Sequence, residues 1–125
     1  MKEIILTERG PKPIGPYSQG VRAGGFLFIS GQVALEPATA EMIGTSVAEQ
    51  TQRALENVKA IVEAGGSNLN HVVKTTVFLK DMNDFAAMNE VYGRFFTVAP
   101  PARSTVQVSR LPKDALVEIE VIAAL

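Results

Sequence analysis

The hydrophobic period of this chain switches from strand-like to helix-like and back, and the order of those switches limits the folds open to it. Ser46-Val47-Ala48-Glu49 has the spacing of a capping box, with the serine placed to accept from a first-turn amide and the glutamate to reach back. Behind it, Val47, Ala54, Leu55, Val58, Ile61 and Val62 form the stripe of an amphipathic helix that Gly65-Gly66 ends. A second helix is predicted after Asp81, with Phe85, Met88, Tyr92, Phe95 and Phe96 on one face and a stop before Pro100. Between the helices, residues 72–80 are a β-branched run suited to a strand interior.

Shorter strands are expected before the first helix. Residues 4–6 read as one, residues 10–16 as a rigid loop, and residues 18–23 as a strand that turns at Gly24-Gly25 into Phe26-Leu27-Phe28-Ile29-Ser30. In that last run both strand faces are apolar, which predicts cover on both sides of the sheet. After the second helix come two alternating strands, one starting at Arg103 and one at Leu116, read as a hairpin joined at Leu111-Pro112-Lys113-Asp114. Strands, helix, strand, helix, two strands predicts an α+β sandwich with both helices on one sheet face, as a single domain over residues 1–125. The other face then has no cover from within the chain.

A period of two sorts the last strands into faces. Val106 and Val108, with Val117, Ile119 and Val121, make an apolar face expected under the helices. Opposite them fall Arg103, Thr105 and Gln107, beside Leu116, Glu118, Glu120 and Ile122. Interleaved polar and apolar groups suit a sheet face meeting another subunit around a polar site, so a homo-oligomer is predicted.

Composition removes several chemistries. The 125 residues contain no cysteine, which excludes disulfides, thiolate nucleophiles and Cys-ligated zinc, and the sole histidine, His71, cannot build a multi-histidine metal site. A net charge of -1 without a basic run leaves no electrostatic footprint for tracking a phosphate backbone. Met1-Lys2-Glu3-Ile4-Ile5-Leu6 is too short an apolar stretch for a signal-peptide core or a membrane span, so a cytoplasmic protein with no membrane partner is expected.

The polar residues of the last strands are the leading candidates for chemistry. Arg103 offers a planar fork that can hold a carboxylate through two parallel hydrogen bonds, and a glutamate nearby can orient or deprotonate a water. The alternative is a cross-strand ion pair between Arg103 and Glu118 or Glu120. Glu118 and Glu120 point the same way, which also raises a paired acid/base reading, although both lie on one strand rather than flanking a cleft. Gly15-Pro16-Tyr17 and Ser30-Gly31-Gln32 can be binding elements or ordinary turn chemistry. His71 is a general base without a recognisable partner or a turn residue, and Ser104 and Thr105 lack the base a nucleophile needs.

Nearly end to end, the chain resembles the reactive-intermediate deaminase (Rid) family, its RidA branch in particular. The resemblance runs through Ile14-Gly15-Pro16-Tyr17-Ser18-Gln19, Ser30-Gly31-Gln32, residues 74–82, Pro101-Ala102-Arg103-Ser104 and Val117-Glu118-Ile119. It implies a chorismate-mutase-like α+β fold, a mixed six-stranded sheet with two helices on one face, assembled as a homotrimer with sites between subunits. It also implies cofactor-free hydrolysis of enamines and imines, such as 2-aminoacrylate and its imine, to a 2-keto acid and ammonia. In that scheme Arg103 holds the substrate carboxylate and Glu118, rather than Glu120, positions the attacking water. Tyr17 walls the pocket, Gly31 presents backbone groups, Asn89 is a polar neighbour, and the Thr105 hydroxyl lines the pocket. Thr105 stands where many family members carry cysteine, so thiol-based control is not expected. Two other functions remain as alternatives: an endoribonuclease or translation inhibitor, and a non-catalytic module that senses a keto acid.

Overall fold

Local chemistry sets the helix boundaries where the sequence places them. A computed structural model describes every residue from Met1 to Leu125. Helix α1 spans Val47–Ala64; the Ser46 side chain accepts from the Glu49 amide at 3.2 Å while the Glu49 carboxylate accepts from the Ser46 amide at 3.1 Å. Helix α2, Phe85–Phe95, follows a single 3-10 turn in which Asp81 accepts from the Asn83 amide.

The strands are β1 (Glu3–Ile5), β2 (Gly20–Ala23), β3 (Phe26–Gln32), β4 (Val72–Leu79), β5 (Ala102–Gln107) and β6 (Val117–Ala124). They form one sheet in the order β1-β2-β3-β6-β4-β5, in which only β4 and β5 are parallel. Gly24 and Gly25 both adopt positive φ in the β2–β3 turn, the backbone a two-residue hairpin needs. Both helices lie on one face, where Leu27, Ile29, Val77, Leu79, Val117, Ile119 and Val121 meet Leu55, Val58, Ile61, Met88 and Tyr92 in a single core cluster.

The predicted cover on both faces is not supplied by the chain. Phe26 and Phe28 stand 43% and 44% exposed on the face away from the helices, while Leu27 and Ile29 between them are buried.

The predicted hairpin of the last two strands does not form. Strand β4 lies between β5 and β6, pairing with both. Residues 108–116 cross the end of β4 instead of turning tightly, with the Val108 amide donating to the Leu79 carbonyl and the Lys80 amide to the Leu116 carbonyl. The physical reason is burial: β4 and β6 carry the most continuous apolar faces, so each takes an interior position with two neighbours, and the more polar β5 is left at the edge.

The face predicted for β5 is corrected with it. Parallel register pairs Arg103 with Thr75, Thr105 with Val77 and Gln107 with Leu79, so these side chains share the helix-covered face. Val106 pairs with Phe78 and faces the open side, 42% exposed. Val108 packs with Phe78 and Met42 against a small separate cluster of Val33, Leu35, Leu111 and Ala115. The β6 assignment holds, with Val117, Ile119 and Val121 buried and Glu118 and Glu120 on the opposite face.

Polar anchors on α1 fix the two strand ends that matter for function. Asn57, fully buried, donates to the Val33 and Leu35 carbonyls just beyond β3 at 3.2 and 2.9 Å. Gln50 accepts from the Leu116 amide at 2.8 Å, immediately before β6, and donates to the Gly44 carbonyl at 3.1 Å.

Candidate active site

The β3–β6 ladder slips between Ile29 and Gln32, and the irregularity brings Gly31 under β6. The Glu118 side chain lies directly across Gly31, so that a Cβ built there would overlap its carboxylate. Any side chain at position 31 would therefore displace the acid. The two residues face a cleft of about 450 Å³, lined also by Tyr17, Ser30, Pro112 and Glu120. Burial pushes the Glu118 carboxyl above its ordinary 4.5, and the charge of Glu120 on the same face pushes it further. No cation pairs with Glu118.

The wall that carries Tyr17 is pinned from inside. Gln19, almost wholly buried, donates to the carbonyls of Thr7, Gly10 and Pro11 and accepts from the Thr7 amide at 2.7 Å. Tyr17 folds back so that its hydroxyl accepts from the Ile14 amide at 3.2 Å, leaving the side chain half exposed at the cleft.

Arg103 occupies a different place. Its guanidinium carbon lies 4.7 Å from the Tyr92 ring centroid and 5.4 Å from that of Phe85, both on α2, within the range of cation–π attraction. The Tyr92 hydroxyl is bound to Thr75 Oγ1 at 2.7 Å. Burial raises the Tyr92 phenol above its ordinary 10.0, against the opposing pulls of the Thr75 hydrogen bond and the Arg103 charge, so it stays neutral at physiological pH. Arg103 has no ion pair in the chain, which leaves its fork of donors available. Asn89 Oδ1 and Thr105 Oγ1, on the same α2 and β5, are buried without hydrogen-bond partners. Orphaned buried oxygens next to an unpaired cation are what a polar ligand site leaves open.

Of the residues singled out in the sequence, Tyr17, Gly31 and Glu118 share the cleft, whereas Arg103, Asn89 and Thr105 belong to the α2–β5 edge. Within one chain the two groups do not meet. Arg103 is level with Thr75 and Glu118 with Phe78, on opposite sheet faces and two strands apart, about 14 Å between backbones. The cross-strand ion pair is thereby excluded within the chain. Glu118 and Glu120 face the same way from one strand, with no second carboxylate across the cleft from them. His71 is exposed at the start of β4, at the far end from Phe78, the rung of Glu118. No group of three or more His, Cys, Asp or Glu side chains is gathered to hold a metal ion, and no helix is long and apolar enough to cross a membrane.

In the sequence Phe85 and Tyr92 read only as part of one face of the second helix, and Thr75 and Gln19, though within the matching motifs, carry no role of their own. A signal was present in Thr75, a hydroxyl at a position whose strand neighbours two apart, Val73 and Val77, are both valine. Only the parallel register connects it to Arg103.

Fold and site together define an α+β protein of the small-ligand class, with a desolvated carboxylate in a cleft and a separately held, unpaired arginine. The sequence pattern of the Endoribonuclease L-PSP family matches residues 7–125, and the chain belongs to that family, also called Rid, YjgF or RutC. It is 60% identical to a RutC family protein of Pyrococcus horikoshii, over 98% of each chain. It is 52% identical, again over 98% of each, to the Escherichia coli protein named 2-iminobutanoate/2-iminopropanoate deaminase. The crystal structure of E. coli TdcF with bound serine superposes with a TM-score of 0.94 at 50% identity, covering 98% of both chains.

Proposed function

We propose that this chain is a cofactor-free enamine/imine deaminase, hydrolysing 2-enamino and 2-imino acids such as 2-aminoacrylate and its imine to 2-keto acids and ammonia. The observation that carries the reading is Glu118, an unpaired carboxyl with a raised pKa, laid over Gly31 in a cleft of about 450 Å³. An imine carbon conjugated to a carboxylate is already electrophilic, so the protein needs only to hold the anion, place a water and limit bulk solvent. Arg103 binds the carboxylate. Water adds to the carbon of the protonated imine as Glu118 takes one of its protons, giving a neutral carbinolamine; Glu118 returns that proton to the nitrogen and then takes the hydroxyl proton as the carbonyl forms and ammonia leaves. Tyr17, Asn89 and Thr105 line the site, and Gly31 offers its backbone. The similarity to a protein named for this activity, and to TdcF with its bound serine, supports a small carboxylate ligand.

The same reading makes the working unit a cytoplasmic homotrimer, with Arg103 of one copy and Glu118 of the next on opposite sides of one bound substrate. It is supported by the opposite facing of the two residues and by the uncovered apolar face bearing Phe26, Phe28 and Val106. Ribonuclease chemistry has less to stand on, because the only histidine sits at the other end of β4 from Glu118. Arg103→Ala should abolish accelerated ammonia release from freshly generated 2-aminoacrylate while leaving assembly intact. Normal turnover by that variant would contradict the assignment.

A further inference from the structure

We propose that Tyr92, held by Thr75, is a positioning residue that sets the pose of the Arg103 guanidinium and so the preference of the site for a carboxylate; the inference rests on Arg103 being the anion clamp. Three contacts close a triangle. Thr75 and Arg103 are register partners across β4 and β5. The Thr75 hydroxyl bonds the Tyr92 hydroxyl at 2.7 Å, and the Tyr92 ring lies 4.7 Å from the guanidinium carbon.

Each side of the triangle has a physical use. Arginine is long and flexible, and on an edge strand with no ionic partner it would spread over many rotamers. A carboxylate neighbour would fix it, but would also cancel its charge and take up the donors that a ligand needs. An aromatic face attracts the cation while leaving its net charge intact. Holding the ring is then the remaining requirement. Thr75 is fully buried on the apolar face of β4, where its hydroxyl finds Tyr92, and Phe96 packs against the same ring at 4.6 Å between centroids. The guanidinium therefore meets a ligand already arranged, which lowers the ordering cost of binding.

The test compares binding of 2-oxobutanoate with that of its neutral amide, 2-oxobutanamide, by calorimetry on the intact protein. Wild-type protein should prefer the carboxylate, and Arg103→Gln should remove that preference; a preference that survives Arg103→Gln overturns the clamp itself. With the clamp upheld, Tyr92→Leu should cut the carboxylate-to-amide affinity ratio about tenfold, and Tyr92→Phe and Thr75→Val about threefold each. The last two variants keep the packing volume and carry the test if Tyr92→Leu does not fold. A wild-type ratio in both conservative variants, or an equal loss of affinity for both ligands, overturns the positioning role and leaves the clamp standing.

Discussion

At the scale of single residues, the strongest constraint is the overlap between Gly31 and Glu118. A methyl group at position 31 has no room while the carboxylate occupies its observed place. Gly31→Ala should therefore lower kcat at least tenfold with only a small change in thermal midpoint, since the displaced group is at the cleft rather than in the core. Under the proposed mechanism Glu118 also ties activity to pH. Its carboxyl is raised first by burial and then by Glu120, so activity requiring the ionised form should fall off in acid at a pH above the ordinary glutamate range. Glu120→Gln should move that acid limb downward, while Glu120→Gln acting like Glu118→Gln, with activity lost at every pH, would reverse the roles assigned to the two carboxylates. Stability follows the opposite sense. The folded chain binds the Glu118 proton more tightly than the unfolded chain, so this group makes stability fall as pH rises above about 4.5. Glu118→Gln should accordingly be more stable than wild type at pH 7 and should converge with it in acid, as thermal melts across that range would show.

Among the secondary-structure elements, helices were the most legible in the sequence, because their signals are local. The Ser46–Glu49 box and the Val47–Val62 stripe specify α1 without reference to any other part of the chain. Strand pairing was less legible. The alternation in β6 identified its buried face, but nothing local to β5 says that β4 will come between them, and the parity of β5 was misassigned because an edge strand can turn polar groups under a helix and a valine outward. Glu118 and Gly31 were legible as candidates; their contact was not, since it depends on a slip in the β3–β6 ladder. The polar face of α1 has the task of holding that region. Asn57→Ala would leave the Val33 and Leu35 carbonyls without their buried donor and should cost about 2 kcal/mol by urea titration. Ser46→Ala should cost about 1 kcal/mol. Only Asn57→Ala should reduce activity under conditions where both variants are fully folded, because only Asn57 supports the end of β3.

For the whole molecule, the separation of Arg103 from Glu118 is the feature with the widest reach. If the clamp and the acid act together, they come from different copies, and two inactive variants can repair one another. Arg103→Ala and Glu118→Ala proteins, unfolded together and reassembled in equal amounts, should recover about a quarter of wild-type activity by random assortment around a closed ring. No recovery in verified mixed assemblies would mean that the site is not shared in this way. The strand order has a consequence in time as well as in space. Within the sheet, strand β6 alone connects the β1-β2-β3 strands to the β4-β5 pair, and it joins Phe26 to Ala124 across most of the chain. Each of those two halves can gather early from near neighbours, whereas insertion of β6 must close long loops and should set the rate of folding. Until it is in place the cleft has neither Glu118 nor a floor beneath it, so the cleft gains its buried carboxylate only as the sheet is completed.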